Sequence, residues 1–221
     1  YLVRQAKALR ATQLGSALIA SLPDAVSRPE RTALWEQRLG AIAEQDEAVA
    51  AYVDESIAVS CPDCGHAHGE YPFPPGGLAD RSREEVMAAF DQRVRHLHCL
   101  AADGVCPECN GKMHSHVERG GDCCLGADLR VEHECAQCGH SLCSAVGLVL
   151  LDQSDVVTFH REHGVDLNAT PYWQLPWCVS DHHTTLESEA PLRVRVEIPL
   201  DDETMRVTLD EEFNTVGVDR R

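Results

Sequence analysis

Lysine is nearly missing from this chain: Lys7 and Lys112 are the only two in 221 residues. Arginine supplies the rest of the positive charge, Asp and Glu outnumber Lys and Arg by 36 to 19, and the formal net charge is −17. A surface of that sign repels phosphate, so the chain is a poor nucleic-acid clamp by itself. Carboxylates hold water and cations well at molar salt, where the Debye length falls to about 3 Å and their mutual repulsion is screened. The composition is therefore that of a halophile's cytoplasmic protein. Aromatic residues are also scarce, at 5%, which leaves a folded core little energy in reserve. No apolar run approaches the roughly 20 residues of a membrane span, and no signal peptide is visible. A Gly-rich phosphate loop, a nucleophile elbow and an H-E-x-x-H pair are all missing. The chain opens at Tyr1 rather than at a methionine, as a piece of something longer would.

What remains is enough for a packed protein. A length of 221 residues with 43% hydrophobic content permits one large domain or two small ones. The charge is unevenly spread. Arg4, Lys7, Arg10, Arg28, Arg31 and Arg38 slightly outweigh Asp24, Glu30, Glu36 and Glu44, so nearly the whole deficit lies further on. That shift places a boundary near Glu55–Ser60, dividing the chain into residues 1–58 and 59–221.

Cysteine is the one residue in conspicuous supply, with eleven copies. In a chain of cytosolic composition reducing conditions argue against a disulfide framework, and C-x-x-C pairs then read as metal or redox sites. Cys106-Pro-Glu-Cys109 and Cys135-Ala-Gln-Cys138 are followed by Asn110-Gly111 and Gly139. Each has the shape of a zinc knuckle, a tight turn that aims two thiolates at one point and ends in a residue tolerant of positive φ. Two knuckles on consecutive hairpins converge into a four-thiolate Zn2+ site, a zinc ribbon. A redox dithiol is the weaker rival, since a thioredoxin-type pair opens a helix after a strand.

Cys61-Pro-Asp-Cys64-Gly65 is a third such turn without a fourth to accompany it. It is either part of a second metal site, with His66, His68, His96, His98, Cys99 or Cys178 as further ligands, or a ribbon that has lost half its ligands. Cys123 and Cys124, at a Gly-rich hairpin tip, read as exposed thiols, and Cys143 as core. His160 and His163 read as surface groups near a helix C-terminus. His68, Glu70, Cys106 and Cys109 approximate the H-x-E…P-C-x-x-C pattern of zinc deaminases. Here, however, proline lies between the cysteines, and the second knuckle closes the open position that catalysis needs.

The local pattern predicts an α+β fold. Strands are expected at Tyr1–Arg4 and Ala8–Ala11, followed by a helix capped by Thr12 that carries Leu14, Leu18 and Ile19, an arrangement like the wing of a winged helix. A second helix presents Trp35, Leu39, Ile42 and Ala43, and a short one spans Asp46–Asp54. "SIAVS" leads as a strand into Cys61, and "GEYPFPPGGLADRSREE" reads as an irregular crossing. Ser82 and Glu85 form a capping box for a helix with Val86, Phe90, Val94, Leu97 and Ala101 in one stripe, closed by Gly104. "KMHSHVE", "DLRVEHE" and "HSLCSA" are strand-like, and a helix is expected near Asp155–His163. A C-terminal antiparallel sheet follows, with Leu192, Val194, Val196 and Ile198 on one face of one strand, Met205, Val207 and Leu209 on the next, and "HTTLES" as a third.

Two resemblances follow from longer stretches. "YPFPPGGLADRS", "FDQRVRHLHCLAADGVCPECNGKM", "ECAQCGH", "GLVLLDQSDVVTFHREHGVDL", "YWQLPWCVSD" and "PLRVRVEIPLDDETMRVTLD" together resemble the C-terminal part of haloarchaeal winged-helix (ArsR-like) transcription regulators, over about two thirds of the chain. That resemblance implies a zinc-binding regulatory domain that orients partners or a homodimer on DNA through an N-terminal or missing winged helix, with no membrane partner and no catalysis of its own. It also implies an upstream ribbon with two knuckles, of which only Cys61 and Cys64 are matched. The first 55 residues are similar to the segment that follows the catalytic core of type IA DNA topoisomerases, in the pattern of Lys7, Leu9, Thr12 and Gly15. The alternative this implies is a zinc-containing C-terminal portion of such an enzyme, lacking its catalytic tyrosine and acidic metal-binding motif.

Overall fold

The computed structural model describes residues 2–5, 8–11, 49–120 and 126–221. The helices expected around Leu14–Ile19 and Trp35–Ala43, together with Cys123 and Cys124, lie outside the described residues. The architecture is α+β, and the described residues form an N-terminal hairpin, three further antiparallel sheets and three α-helices. The hairpin pairs β1 (Leu2–Gln5) with β2 (Ala8–Ala11), Leu2 opposite Ala11.

The first three-stranded sheet has the order β3-β4-β5 (Val49–Val53, Ser56–Ser60, Ala67–Pro72). Its first strand corrects the helix expected over Asp46–Asp54. Asp54 and Glu55 take φ values of 50° and 63°, the left-handed pair that a two-residue hairpin turn requires. The turn sets Val53 opposite Ser56 and Tyr52 opposite Ile57. Ala50, Tyr52, Ile57 and Val59 then share the buried face, a period of two that overrides the helix propensity of the alanines. The division expected between residues 58 and 59 falls inside β4, which is paired on both sides. The crossing after His68 is also more regular than expected. It begins as β5, and Pro72 is accommodated because β5 is an edge strand.

Helix α1 (Arg83–Ala102) forms as its sequence predicts. Ser82 Oγ accepts from Glu85 N at 3.3 Å, and Glu85 Oε2 accepts from Ser82 N at 2.6 Å, the reciprocal pair of a capping box. Val86, Phe90, Val94, Leu97 and Ala101 are all buried. The helix lies against the second sheet, β6-β7-β8 (Met113–Arg119, Leu129–Cys135, Ser141–Ala145). A 3-10 segment, Val146–Leu150, leads to α2 (Ser154–Glu162), and a short α3 (Pro176–Val179) precedes the C-terminal sheet. Gly147 sits where an added Cβ would lie 1.7 Å from the Trp177 carbonyl oxygen, so only glycine permits that close approach.

The last sheet has the order β12-β11-β10-β9 (Thr215–Arg220, Glu203–Leu209, Leu192–Leu200, Thr184–Glu189). Val194, Val196, Ile198, Met205, Val207 and Leu209 are its buried face, as their alternation predicts. The alternation in the sequence predicts three strands here, and β12 is a fourth. One main core spans β3–β5, α1, β7, α2, α3 and the C-terminal sheet. A smaller one, of Ala101, Cys106, Met113 and Cys135, sits beneath the second sheet. Among the described residues no helix is long and apolar enough to cross a membrane.

Candidate metal centre

The small core holds the cysteines. The turn of Cys106 and Cys109 sits between α1 and β6, and the turn of Cys135 and Cys138 joins β7 to β8. Met113 lies opposite Cys135 in the strand register, which brings the two turns side by side. Lys112 fastens them: its carbonyl accepts from Ala136 N at 3.0 Å, and its N–H donates to Gln137 Oε1. Both turns use one local device. The first cysteine's N–H donates to the carbonyl five residues on (Cys106 to Gly111 and Cys135 to His140, both 2.8 Å), and the residue after the second cysteine donates back to the first (Asn110 to Cys106, 2.9 Å; Gly139 to Cys135, 3.1 Å). Asn110 and Gly139 hold the positive φ this demands, 58° and 72°.

The four sulfurs all lie within 4.8 Å of one another, with Cys106 Sγ to Cys138 Sγ at 3.7 Å and Cys109 Sγ to Cys135 Sγ at 3.6 Å. A metal–sulfur distance of about 2.3 Å gives a tetrahedron edge of about 3.8 Å, so the arrangement fits one central ion. Cys106 and Cys135 are buried, while Cys109 and Cys138 are exposed. Without a cation the set is electrostatically frustrated. Backbone N–H groups of Cys138 and Gln137 pull the Cys135 thiol down to about 6. At Cys109 the Gly111 N–H favours the thiolate, but the sulfurs of Cys138, Cys135 and Cys106 together push the thiol up to about 12. A divalent ion resolves that conflict by letting all four ionise.

Cys61 and Cys64 form a turn of the same kind between β4 and β5. Among the described residues the four-cysteine set is the one group of three or more metal-ligating side chains drawn together, and Cys61 and Cys64 are not in it. Of the partners considered for them, His66 has Nε2 3.0 Å from the Val179 carbonyl, His68 is half-buried, and His98 is fully buried against Tyr71. Cys178 is buried in the main core and burial raises its thiol well above the usual range. Burial likewise pushes Cys99 up to about 12, with Asp152 adding to the effect, and His96 is exposed on α1. Cys143, expected in the core, is half-buried.

Histidine burial is what sequence reasoning missed. His98, on the inner face of α1, is fully buried, and its Nε2 lies 2.9 Å from Tyr71 Oη. His133, on β7, has Nδ1 2.6 Å from Ser115 Oγ, which donates to the Ala101 carbonyl at 3.3 Å. The two rings are 6.0 Å apart, and His98 Nδ1 and His133 Nε2 have no partner among the described residues. Burial favours the neutral form of both rings, and in His133 the proton sits on Nδ1, because the Ser115 hydroxyl spends its own hydrogen on Ala101 and is left to accept. Burial drives His98 down to about 3 and His133 to about 4. His160, expected at the surface, is also buried, bonded through Nδ1 to the Val156 carbonyl at 2.8 Å and set against Trp177. His163, also expected at the surface, is half-buried, with Nδ1 2.8 Å from the Phe159 carbonyl and Nε2 3.4 Å from Glu203. Nearby, Asp91 receives Arg95 Nε and Tyr172 N, both at 2.7 Å, so this buried pair is satisfied on both sides.

A family model described as a domain of unknown function, DUF7351, matches residues 44–215. No curated protein and no solved structure matches the chain.

Proposed function

The chain belongs to the DUF7351 family, a domain of unknown function, and from that premise we propose that residues 49–221 are the zinc-dependent regulatory part of a DNA-binding transcription regulator. The observation that carries this reading is the closed tetrad of Cys106, Cys109, Cys135 and Cys138. Thiolate-only, near-tetrahedral sites suit zinc, and four protein ligands leave no open position for substrate or activated water. The ion's role is structural. It holds the two turns together and through them fixes β6, β7 and β8 against α1.

The charge distribution supports a division of labour in which DNA is contacted by a separate winged helix. Arg95, Arg119, Arg130, Arg195, Arg206 and Arg220 each face a carboxylate of the chain itself, so their charge is largely spent internally. The topoisomerase-like alternative gains no such support. Gripping single strands relies on exposed rings for base stacking, whereas every aromatic residue among the described ones with a burial assignment is buried.

Two measurements test the proposal. Fluorescence anisotropy of the isolated chain with duplex and with single-stranded DNA at moderate salt should show negligible binding. Promoter occupancy by the full coding region in its host should be site-specific and lost on Cys109→Ser. Tight, salt-sensitive binding by this chain alone, or occupancy without promoter preference, would contradict the assignment.

A further inference from the structure

Three Cys-x-x-Cys turns share one backbone, yet only two of them face each other. At the third, Cys61 N donates to the His66 carbonyl at 2.8 Å, Gly65 N donates to the Cys61 carbonyl at 3.0 Å, and Gly65 has φ 73°. These are the same bonds and the same left-handed residue found at the Cys106 and Cys135 turns. The Cys61 turn is thus already shaped to present two thiolates.

The two ribbon sheets correspond as well. Each is antiparallel, with strands in consecutive order, and the Cys61 turn links β4 to β5 as the Cys135 turn links β7 to β8. In the second sheet a partner turn, that of Cys106, precedes the first strand. No such turn precedes β3, because the sequence has no cysteine before Cys61.

The complete tetrad shows what the missing half must look like. Its close sulfur pairs are crossed: the first cysteine of one turn meets the second of the other, Cys106 with Cys138 at 3.7 Å and Cys109 with Cys135 at 3.6 Å. That is the pairing of an isologous contact, in which two like elements are related by a two-fold axis through the ion. A second Cys61 turn, rotated in the same way, satisfies the same geometry. Among the described residues nothing covers this turn: Cys61 is half-exposed, Pro62, Asp63, Cys64 and Gly65 are exposed, and a Cβ built on Gly65 would meet no atom of the described residues within 4 Å.

We propose that two copies of this chain are joined by one metal ion held between their Cys61–Cys64 turns, each copy giving two thiolates. Each turn supplies half of a tetrahedral site, and a cyclic dimer completes it without further ligands. Both copies carry a charge of −17, so the bridge forms best at molar salt, where repulsion between the bodies is screened. The inference borrows from the four-cysteine reading only the geometry of two facing turns.

The test uses the full chain in molar potassium chloride, reduced and then supplied with zinc, with mass from light scattering and zinc from elemental analysis of the same fractions. The expected result is twice the monomer mass with about 1.5 ions per chain, falling in Cys64→Ser to a monomer with about one ion. Cys64 is exposed, so its replacement leaves the core intact, and circular dichroism checks that. Cobalt substitution gives a second readout: thiolate-to-cobalt absorption per chain should drop by about one third in Cys64→Ser, as expected when one of three ions in a dimer is lost. A doubled mass with only about half an ion per chain would support the bridge while removing the zinc tetrad. A monomeric wild type, whatever its zinc content, or a dimer that survives Cys64→Ser, would overturn the proposal.

Discussion

Lowering the pH from 6.5 to 5 should destabilise this protein through His98 and His133, and the structure sets the size of the effect. An unfolded histidine titrates near 6.5, whereas burial holds these two at about 3 and about 4 in the fold. Between those limits the unfolded state binds more protons than the folded one, so stability rises with pH and is lost as pH falls. At pH 6.5 an unfolded ring is only half protonated, so each ring loses about 1.6 kcal/mol between pH 6.5 and 5 and the pair about 3 kcal/mol, the slope approaching about 1.36 kcal/mol per pH unit per ring toward pH 5. Burial lowers His68, His160 and His183 as well, and they act in the same direction. The assay is urea unfolding followed by circular dichroism at half-unit pH steps, in molar salt so that partial neutralisation of carboxylates does not mask the trend. Bound zinc is measured in the same samples, because metal ligation is itself sensitive to protons. His133→Asn retains a side-chain N–H for Ser115 but cannot titrate, so it should remove about half of the pair's slope. A stability that stays flat from pH 6.5 to 5 while zinc remains bound would refute the account of these rings as buried and neutral.

Two further outcomes follow from packing and charge. Gly147→Ala should cost about 3 kcal/mol, because the new Cβ meets the buried Trp177 backbone, whereas Gly76→Ala, with nothing within 4 Å of its Cβ, should stay within about 0.5 kcal/mol of the parent; paired denaturant melts distinguish the two. The surplus of carboxylates should make folding depend on salt, with the melting temperature rising steadily from near zero to molar potassium chloride as the Debye length shrinks from about 30 Å to about 3 Å. A melting temperature independent of salt would remove the halophile reading.

How legible each feature was in the sequence depended on whether its cause is local. Helix α1 could be read because its cap and its apolar stripe are short-range signals, and the tetrad because each turn announces itself by two cysteines and a residue tolerant of positive φ. β3 was misread because "EAVAAYV" favours a helix by composition. What makes it a strand is the Asp54–Glu55 turn and pairing with "SIAVS", and that turn lacks the glycine that would have marked it. β12 was missed because an exposed edge strand has no buried alternation to reveal it. The polar residues of α1 were beyond reach for a different reason. Asp91, Arg95 and His98 lie on its buried side only because Tyr172 N, the Thr170 carbonyl and Tyr71 Oη come from distant segments to meet them. Nothing within α1 itself encodes those partners.

The claim that four thiolates hold one zinc ion and that the second ribbon depends on it is tested most directly by the double variant Cys109→Ser, Cys135→Ser. Elemental analysis should show it losing about one zinc ion per chain relative to the parent. Amide hydrogen exchange across Met113–Arg119, Leu129–Cys135 and Ser141–Ala145 should accelerate toward that of an unfolded segment, while the C-terminal sheet stays protected. Unchanged zinc content, or full protection of those three strands after the ion is gone, would contradict the account.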